Sequence, residues 1–429
     1  MLSILNNYLF FLFLTTLAVS NNLILFFISW IGMNVTLYGI LLKSYNTYNK
    51  EITVKYFVSG SIITIFILFA ILLYFMDYFT FNIDSASYLF LNNDNLSFTL
   101  ESVNISKLQK IYYSVLISAF LFKLGSFPFH FYIADMYMSI KYMHTMLLYT
   151  IVLKIVMFFT LIKYLSCFWY LNTTISDLLI CSGFGSIFVS SFTIIRQFKI
   201  MNFWAYSYIN TIGYTILALS SGITAEFGEL TFYSAKIYFL IYLIVWYGIM
   251  DLMSSFNLVR PSTILGSIKS SIYYINDFIF FSEISYKKNL NKNFSIYNKF
   301  LYYFNNYDYK FVKYSIIIFL LSLLGLPPTI GFFSKALVYF ELVSNQNTAF
   351  ILFLILLLTP VVSFGYIKLI IYTIFNKASF NILGITKIKI IPKKNTGLRV
   401  HFKIIADLVL ITPLLVIFFE YLYLYKISY

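Results

Sequence analysis

Long apolar runs separated by short polar segments dominate the pattern of hydrophobic and polar positions along this chain. The runs are continuous and lack the period-two alternation of membrane β-strands. A helix that crosses a bilayer needs about 20 predominantly apolar residues. The pattern therefore predicts eleven transmembrane helices, at residues 4–19, 22–42, 54–76, 111–134, 144–165, 178–194, 203–220, 232–253, 313–338, 348–376 and 405–425. We expect an all-α polytopic membrane protein.

The composition strengthens this fold class. Of the 429 residues, 60% are hydrophobic and only 11% are charged, whereas soluble domains have roughly 45–50% apolar and about 25% charged residues. The two cysteines, Cys167 and Cys181, form neither a metal-binding pattern nor a disulfide framework. No metal site is expected.

The net charge of +14 (30 basic against 16 acidic residues) is distributed unevenly over the loops. Loops after even-numbered helices are basic, notably the polar insert at 254–312 and the segment 377–403, and loops after odd-numbered helices are acidic or neutral. Basic loops remain on the inner side of a membrane. We therefore attribute the charge to orientation rather than to nucleic-acid binding, with the N-terminus inside and the C-terminus outside.

Three lysines lie deep within apolar runs: Lys123, Lys154 and Lys335. On insertion scales, a lysine at the bilayer centre costs at least about 2.5–3.5 kcal/mol. Removal from water disfavours the charged form, so such a lysine can exchange protons near neutral pH. This chemistry predicts a proton relay. Lys236 and Lys368 also lie in apolar runs, and Lys236, near a predicted helix end, is equally well explained as an interfacial anchor.

Two of the predicted helices carry residues that break a helix. These are Gly125 and Pro128 in the fourth helix, and Gly325, Pro327 and Pro328 in the ninth. Proline removes a backbone donor, and in lipid the freed carbonyl groups need protein or water partners. A plain kink is the alternative, but it does not account for a deep lysine beside each break. We therefore predict two discontinuous helices that line a hydrated interior.

The two breaks are five helices apart, which suggests an internal repeat. Residues 1–165 and 166–376 would form two five-helix units, the second containing the insert at 254–312. Because five is odd, the units have opposite orientation, and paired breaks in inverted repeats indicate a transport path. Residues 377–429 would add a basic loop and a final transmembrane helix.

At the first break the sequence resembles a known family. LFKLGSFPFHFYIAD (residues 121–135) resembles the K-L-G-x-x-P-F-H-F-W motif of the NADH dehydrogenase subunit 2 family, the antiporter-like membrane subunits of respiratory complex I. Four more segments resemble motifs of this family in the same order, at residues 50–61, 196–214, 322–335 and 365–372. The resemblance covers roughly residues 25–376.

The resemblance implies two inverted five-helix antiporter-like repeats and a mid-membrane lysine relay driven by quinone reduction elsewhere in the complex. Lys123 matches the central lysine of the first broken helix, Lys154 the lysine of the next helix, and Lys335 the lysine after the second break. His130 matches the histidine of the family's Pro-Phe-His motif, and Lys368 its basic residue in the tenth helix. A lone histidine is more often structural, so proton transfer by His130 is one of two alternatives.

The resemblance also implies a setting. The chain would be a proton-translocating subunit of NADH:ubiquinone reductase in the mitochondrial inner membrane, with the N-terminus and basic loops on the matrix side and the C-terminus on the intermembrane side. Its partners would be other membrane-arm subunits, including a neighbouring antiporter-like subunit, together with lipids. The chain itself would carry no cofactor and no redox chemistry, because NADH, FMN, iron–sulfur clusters and ubiquinone belong to other subunits. The sequence contains no cysteine set for a cluster.

The chain departs from the family in three ways. The full-length family has fourteen helices, and the first three are missing here, either lost or carried by a separate chain. Thr211 stands where the family has a histidine, and Asn34 stands where the family's W-x-G-x-E motif has a glutamate that pairs with the first lysine. Asparagine can accept a hydrogen bond but carries no charge. A neighbouring subunit would have to supply the carboxylate, or this channel is inactive.

Two alternative functions remain. One is a structural membrane-arm subunit with an inactive proton channel, which Asn34 and Thr211 favour and the three deep lysines oppose. The other is a stand-alone cation/proton antiporter on the same fold, which the missing glutamate and the missing helices oppose.

Overall fold

The computed structural model describes residues 2–42, 47–83, 107–139, 151–167, 172–197, 200–224, 232–255, 310–327, 329–344 and 346–375. All of them belong to one compact unit, Met1–Asn376. Most of the predicted insert at 254–312, the predicted last helix at 405–425 and Pro328 lie outside the described residues. The domain boundaries therefore stay predictions.

The described residues form twelve helices, which we number in chain order. They are α1 (Leu2–Val19), α2 (Leu23–Leu42), α3 (Thr47–Tyr78), α4 (Lys107–Leu124), α5 (Phe131–Ser139), α6 (Leu153–Cys167), α7 (Asn172–Arg196), α8 (Ile200–Thr224), α9 (Tyr233–Ser255), α10 (Lys310–Leu324), α11 (Ile330–Ser344) and α12 (Gln346–Phe375). The all-helical class is confirmed. Each of the first ten predicted membrane helices corresponds to one of these helices or to a pair of them.

Length and composition support a membrane setting. Within the described residues, α3, α7 and α12 contain stretches both long and apolar enough to cross a bilayer, and shorter apolar helices include α1, α2, α9 and α10. On α3 and α12, large apolar side chains such as Phe57, Ile65 and Phe353 are exposed. A helix that is apolar on all sides can face lipid with one side and protein with the other. The exact number of membrane crossings stays a prediction.

Helix α8 packs against four other helices, α5, α7, α9 and α11. Its pairing with α7 is close because glycines face each other: a Cβ added to Gly213 would lie 2.9 Å from the carbonyl oxygen of Gly183. Small residues allow membrane helices to approach closely. The same helix buries Trp204, which contacts Trp246 of α9 edge-on with ring centroids 5.8 Å apart.

The first predicted break is present between α4 and α5. Gly125 adopts a φ of 78°, in the left-handed region where glycine is strongly favoured. Its N–H donates to the carbonyl of Phe122 at 2.9 Å, and the N–H of Ser126 donates to that of Leu121 at 3.1 Å. These two bonds form a Schellman motif, which ends a helix and satisfies two of its last carbonyls.

The second break, between α10 and α11, repeats this geometry. Gly325 has a φ of 75°. Its N–H donates to the carbonyl of Ser322 at 3.1 Å, and the N–H of Leu326 donates to that of Leu321 at 3.3 Å. In both places, therefore, a glycine stops the helix, the last two carbonyls are left for other donors, and a new helix begins a few residues later.

Gly325→Ala should destabilise the second break. A non-glycine residue in the left-handed region costs roughly 1–2 kcal/mol, and the added Cβ would also lie 2.7 Å from Cδ of Lys335. We expect a lower unfolding temperature of the assembled complex that contains the variant, measured by a thermal scan. Ser344→Ala, at the exposed far end of α11, is the control and should leave the unfolding temperature unchanged; an equal effect of both variants would contradict this account of the break.

Candidate functional site

The first buried ammonium group is that of Lys123, in the last turn of α4. Its side chain is 1% exposed. The ammonium group donates a close hydrogen bond to Oδ1 of Asn34 on α2 and another, at 2.9 Å, to the hydroxyl of Tyr56 on α3. It also lies 5.6 Å from the ring centroid of Trp30 and 5.0 Å from that of Tyr56, a favourable place for a desolvated cation.

The structure thus places Asn34 directly against Lys123. This is the contact that the sequence match assigned to a glutamate. The side-chain acceptors that Lys123 reaches within the described part of the chain are both neutral oxygens. The Nδ2 group of Asn34 has no hydrogen-bond partner among the described residues. The lysine is therefore solvated by dipoles rather than by an opposite charge.

The second buried ammonium group belongs to Lys154 on α6, whose side chain is 7% exposed. It donates a close hydrogen bond to the backbone carbonyl of Lys123 and one of 3.1 Å to that of Leu124. These are the last two carbonyls of α4, which have no partner within their own helix. The hydroxyl of Tyr208 donates to the same Leu124 carbonyl at 3.1 Å. Lys154 therefore completes the end of the first broken helix.

The third ammonium group, that of Lys335, sits in an equivalent place at the second break. It donates to the backbone carbonyls of Leu323 and Leu324, each at 2.9 Å. These are the last two carbonyls of α10. The group also lies 5.5 Å from the ring centroid of Tyr214 on α8. Lys335 comes from the second half of its own broken helix, whereas Lys154 comes from the helix that follows.

The two breaks are thus built as cation sites. The C-terminal end of a helix carries partial negative charge on its unpaired carbonyls, and transporters use such half-helix ends to hold cations at mid-membrane. A lysine ammonium group has three N–H donors, and here two of them bond the two carbonyls. One proton remains to be transferred, and the neutral amine left behind still has two N–H groups for the same two carbonyls.

Other predicted site residues lie apart from these lysines. His130 lies in the turn between α4 and α5, is 8% exposed and stacks near Phe131, with ring centroids 4.3 Å apart. Its Nδ1 atom has no hydrogen-bond partner among the described residues. Lys368 is half-buried on α12, a helix that supplies no donor or acceptor to the three ammonium sites described above. Proton transfer by either residue stays a prediction.

Two polar residues were missed by sequence reasoning. Tyr56 lies within the motif segment at residues 50–61, and its role as a hydrogen-bond partner of Lys123 depends on how α3 packs against α4. Glu341 lies on α11 beyond the predicted helix end, and it accepts a close hydrogen bond from the hydroxyl of Ser234 at the start of α9. Extending the predicted helix by one turn would have brought this acid to attention.

Comparisons with known proteins agree with the fold. The family model described as "NADH:quinone oxidoreductase/Mrp antiporter, TM" matches residues 20–270. The NADH-quinone oxidoreductase subunit N of Francisella tularensis subsp. holarctica is 26% identical over 361 residues, which are 82% of this chain and 64% of that protein. The NADH-ubiquinone oxidoreductase chain 2 of Anopheles gambiae is 26% identical over 351 residues, 81% of this chain and 79% of that protein.

Solved structures show the same fold. A chain of respiratory complex I from Thermus thermophilus superposes with a TM-score of 0.56 at 18% identity, covering 86% of this chain and 69% of that one. A chain of an archaeal membrane-bound sulfane sulfur reductase gives a TM-score of 0.63 at 16% identity, covering 95% and 73%. The chain spans slightly less than two thirds of the first bacterial relatives it matches, 64% and 65% of their lengths.

Asn34→Leu should destabilise the protein because it removes an acceptor from a buried ammonium group. A hydrogen bond to a charged group contributes about 1.5–3 kcal/mol. Leaving the buried ammonium donor without an acceptor destabilises the protein more than replacing both partners by apolar groups. The double variant Asn34→Leu/Lys123→Met should regain most of this loss, because no buried charge remains. A double-mutant cycle on unfolding temperatures measures the coupling; additive effects of the two substitutions would contradict a direct bond.

Proposed function

We propose that this chain, which belongs to the NADH:quinone oxidoreductase/Mrp antiporter transmembrane family, is a proton-translocating membrane-arm subunit of a complex I type NADH:ubiquinone oxidoreductase. It takes part in the enzyme at the level of the complex and performs no redox step itself. The energy comes from quinone reduction in other subunits, which also hold NADH, FMN, the iron–sulfur clusters and ubiquinone.

The observation that carries the proposal is the pair of lysines seated on the ends of broken helices. Lys154 and Lys335 each bond the last two carbonyls of a half-helix. These carbonyls favour the ammonium form, and the surrounding apolar helices favour the neutral amine. Both protonation states can thus be held in the same geometry, with one proton free to leave. A residue that loads and unloads a proton inside a membrane needs this property.

Lys123 and Lys154 would act as a coupled pair. Their ammonium groups lie close enough to interact electrostatically, and two like charges in an apolar medium disfavour each other. Protonation of one lysine therefore promotes release from the other. Asn34 and Tyr56 orient Lys123 without fixing its charge, because both are neutral. The charged partner would come from a neighbouring subunit.

The membrane in which the chain lies, its orientation and its neighbouring subunits are part of the proposal. The chain would lie in the mitochondrial inner membrane, with the N-terminus and basic loops in the matrix and the C-terminus in the intermembrane space, next to another antiporter-like subunit and lipids. Relatives named NADH-ubiquinone oxidoreductase chain 2, from Rhizopus oryzae and Anopheles gambiae, support this setting.

A structural subunit with an inactive channel is the second candidate. The neutral environment of Lys123 favours it, since Asn34 cannot shift the lysine between charge states as a carboxylate would. The hydrogen bonds of Lys154 and Lys335 to the helix-end carbonyls favour an active channel. The two functions make opposite predictions for the deep lysines.

Lys335→Ala should lower the number of protons translocated per NADH oxidised, because the second half-helix loses its proton carrier. The measurement is the proton-to-electron ratio in sealed vesicles that contain the assembled complex. NADH oxidation in the presence of an uncoupler should stay near the wild-type rate. An unchanged ratio in a fully assembled complex would refute the relay and favour the structural role.

Lys123→Met tests the first site separately, because methionine keeps most of the side-chain volume and removes the exchangeable proton. An active channel requires a lower proton-to-electron ratio in this variant. Lys110→Met is the matched control: the residue is on the same helix, near its start, and its side chain is exposed. Its substitution should leave the ratio unchanged. Equal ratios for wild type and both variants would mean that Lys123 carries no proton.

A further inference from the structure

The two broken helices differ in how many donors their last carbonyls have. At the second break, Lys335 is the donor among the described residues that bonds the carbonyls of Leu323 and Leu324. In a continuous helix, the N–H groups four residues later would bond them. Those positions are Pro327 and Pro328, and proline has no N–H. The end of α10 therefore depends on the lysine.

At the first break, a phenol shares one of the carbonyls that Lys154 bonds. The hydroxyl of Tyr132, at the start of α5, donates to the carbonyl of Phe122 at 2.6 Å and lies 3.1 Å from the carbonyl oxygen of Lys123. A hydroxyl carries one proton, so Tyr132 divides it between two acceptors. The N–H of Gly125 also donates to Phe122, at 2.9 Å. Tyr132 can therefore turn its proton fully to the Lys123 carbonyl without leaving that of Phe122 unpaired.

A second phenol shares the other carbonyl. The hydroxyl of Tyr208 on α8 donates to the carbonyl of Leu124 at 3.1 Å, the same distance at which Lys154 bonds it. A carbonyl oxygen has two lone pairs and accepts both bonds at once. If the lysine left, Leu124 would keep its bond from Tyr208. Both carbonyls that Lys154 bonds thus have a replacement donor.

The sequence accounts for this difference between the breaks. Tyr132 lies seven residues after Gly125, whereas the residue seven places after Gly325 is Phe332, which has no hydroxyl. Tyr132 also stands where the family motif K-L-G-x-x-P-F-H-F-W has a tryptophan, whose single donor is the indole N–H. The shared phenol is therefore a feature of this chain at one of its two breaks.

The charge of Lys123 supplies a force that can displace Lys154. Lys154 bonds the backbone carbonyl of Lys123, and the ammonium groups of the two residues interact electrostatically. Like charges repel each other more strongly in an apolar medium than in water. The ring of Tyr208, whose centroid lies 5.4 Å from the ammonium group of Lys154, is a favourable neighbour for a displaced cation. When both lysines are protonated, Lys154 therefore gains by leaving the carbonyls.

We propose that the first break is a two-state switch in which Tyr132 and Tyr208 replace Lys154 as donors. In one state the ammonium group of Lys154 bonds the two carbonyls. In the other state Lys123 is protonated, Lys154 is displaced, and the two phenolic hydroxyls bond the carbonyls. Tyr132 is a positioning residue, because it acts through Lys154.

The second break has one state, since no described phenol replaces Lys335 at its carbonyls. The switch rests on the proton-translocating function proposed above and adds a means of regulating its first site. The charge of one lysine would determine where the next lysine lies, while the third stays in place.

Tyr132→Phe removes the hydroxyl and keeps the ring, so that Lys154 has no full replacement and stays on the carbonyls. In the assembled complex we expect a lower proton-to-electron ratio than in wild type, with uncoupled NADH oxidation unchanged. Tyr164→Phe is the matched control, because Tyr164 lies on the same helix as Lys154, is 1% exposed and packs against Phe26 and Phe120. Its ratio should equal that of wild type.

Unfolding temperatures of the assembled complex test the replacement donors directly. Lys154→Met leaves two carbonyls that the phenols still bond, whereas Lys335→Met leaves two carbonyls without these donors. We expect a larger downward shift for Lys335→Met than for Lys154→Met. In the background Tyr132→Phe/Tyr208→Phe, Lys154→Met should lower the unfolding temperature further than it does in wild type. An equal shift in both backgrounds would overturn the switch.

A cryo-EM map decides the matter if the variants fail to assemble. At a resolution that shows side-chain conformers, the wild-type complex should contain two conformers of Lys154 and one of Lys335. In the displaced conformer, the hydroxyl of Tyr132 should lie within about 3.2 Å of the Lys123 carbonyl oxygen. The Lys123→Met complex should retain only the bonded conformer of Lys154. A single bonded conformer in wild type, or two conformers in Lys123→Met, would overturn the switch.

The outcomes separate the switch from the proton-translocating function. An unchanged ratio in Lys335→Ala overturns the function itself. A reduced ratio in Lys335→Ala with a wild-type ratio in Tyr132→Phe overturns only the switch. The switch is also overturned if Tyr164→Phe lowers the ratio as much as Tyr132→Phe, since the effect would then be one of packing.

Discussion

An ammonium group buried among apolar helices must find hydrogen-bond acceptors within the protein, because lipid offers none. For Lys154 and Lys335 the acceptors are the final carbonyls of interrupted helices. The broken helix and the lysine each need the other as a hydrogen-bond partner. A broken helix in a membrane leaves carbonyls that require donors, and a deep lysine supplies donors that require acceptors. Each feature would be costly alone, and together they satisfy each other.

Much of this arrangement could be predicted from sequence. Long apolar runs predict membrane helices, and glycine and proline beside a lysine predict a discontinuous helix. The structure contains both interruptions, at Gly125 and Gly325. Asn34 was aligned with a family glutamate, and it lies against Lys123. These features depend on local sequence or on a recognised motif, so sequence was enough to find them.

The remaining features depend on packing between distant segments. Nothing in the sequence around Lys154 indicates that its partners are carbonyls about thirty residues earlier, since any residue type provides a carbonyl. The hydrogen bond between Lys123 and Tyr56 likewise forms only because α3 packs against α4. In a chain with 39 tyrosines, sequence alone cannot single out Tyr56.

The use of backbone oxygens has a consequence for how this site tolerates change. Leu323 and Leu324 present their carbonyls to Lys335, and another helix-forming side chain at either position would present the same oxygens. The binding site for the Lys335 ammonium group therefore depends on where α10 ends, and not on which residue types stand at its end. A sequence identity near 26% between this chain and its relatives is compatible with an unchanged lysine-binding site. The conditions are that a glycine ends the helix and that a lysine ammonium group contacts its last two carbonyls.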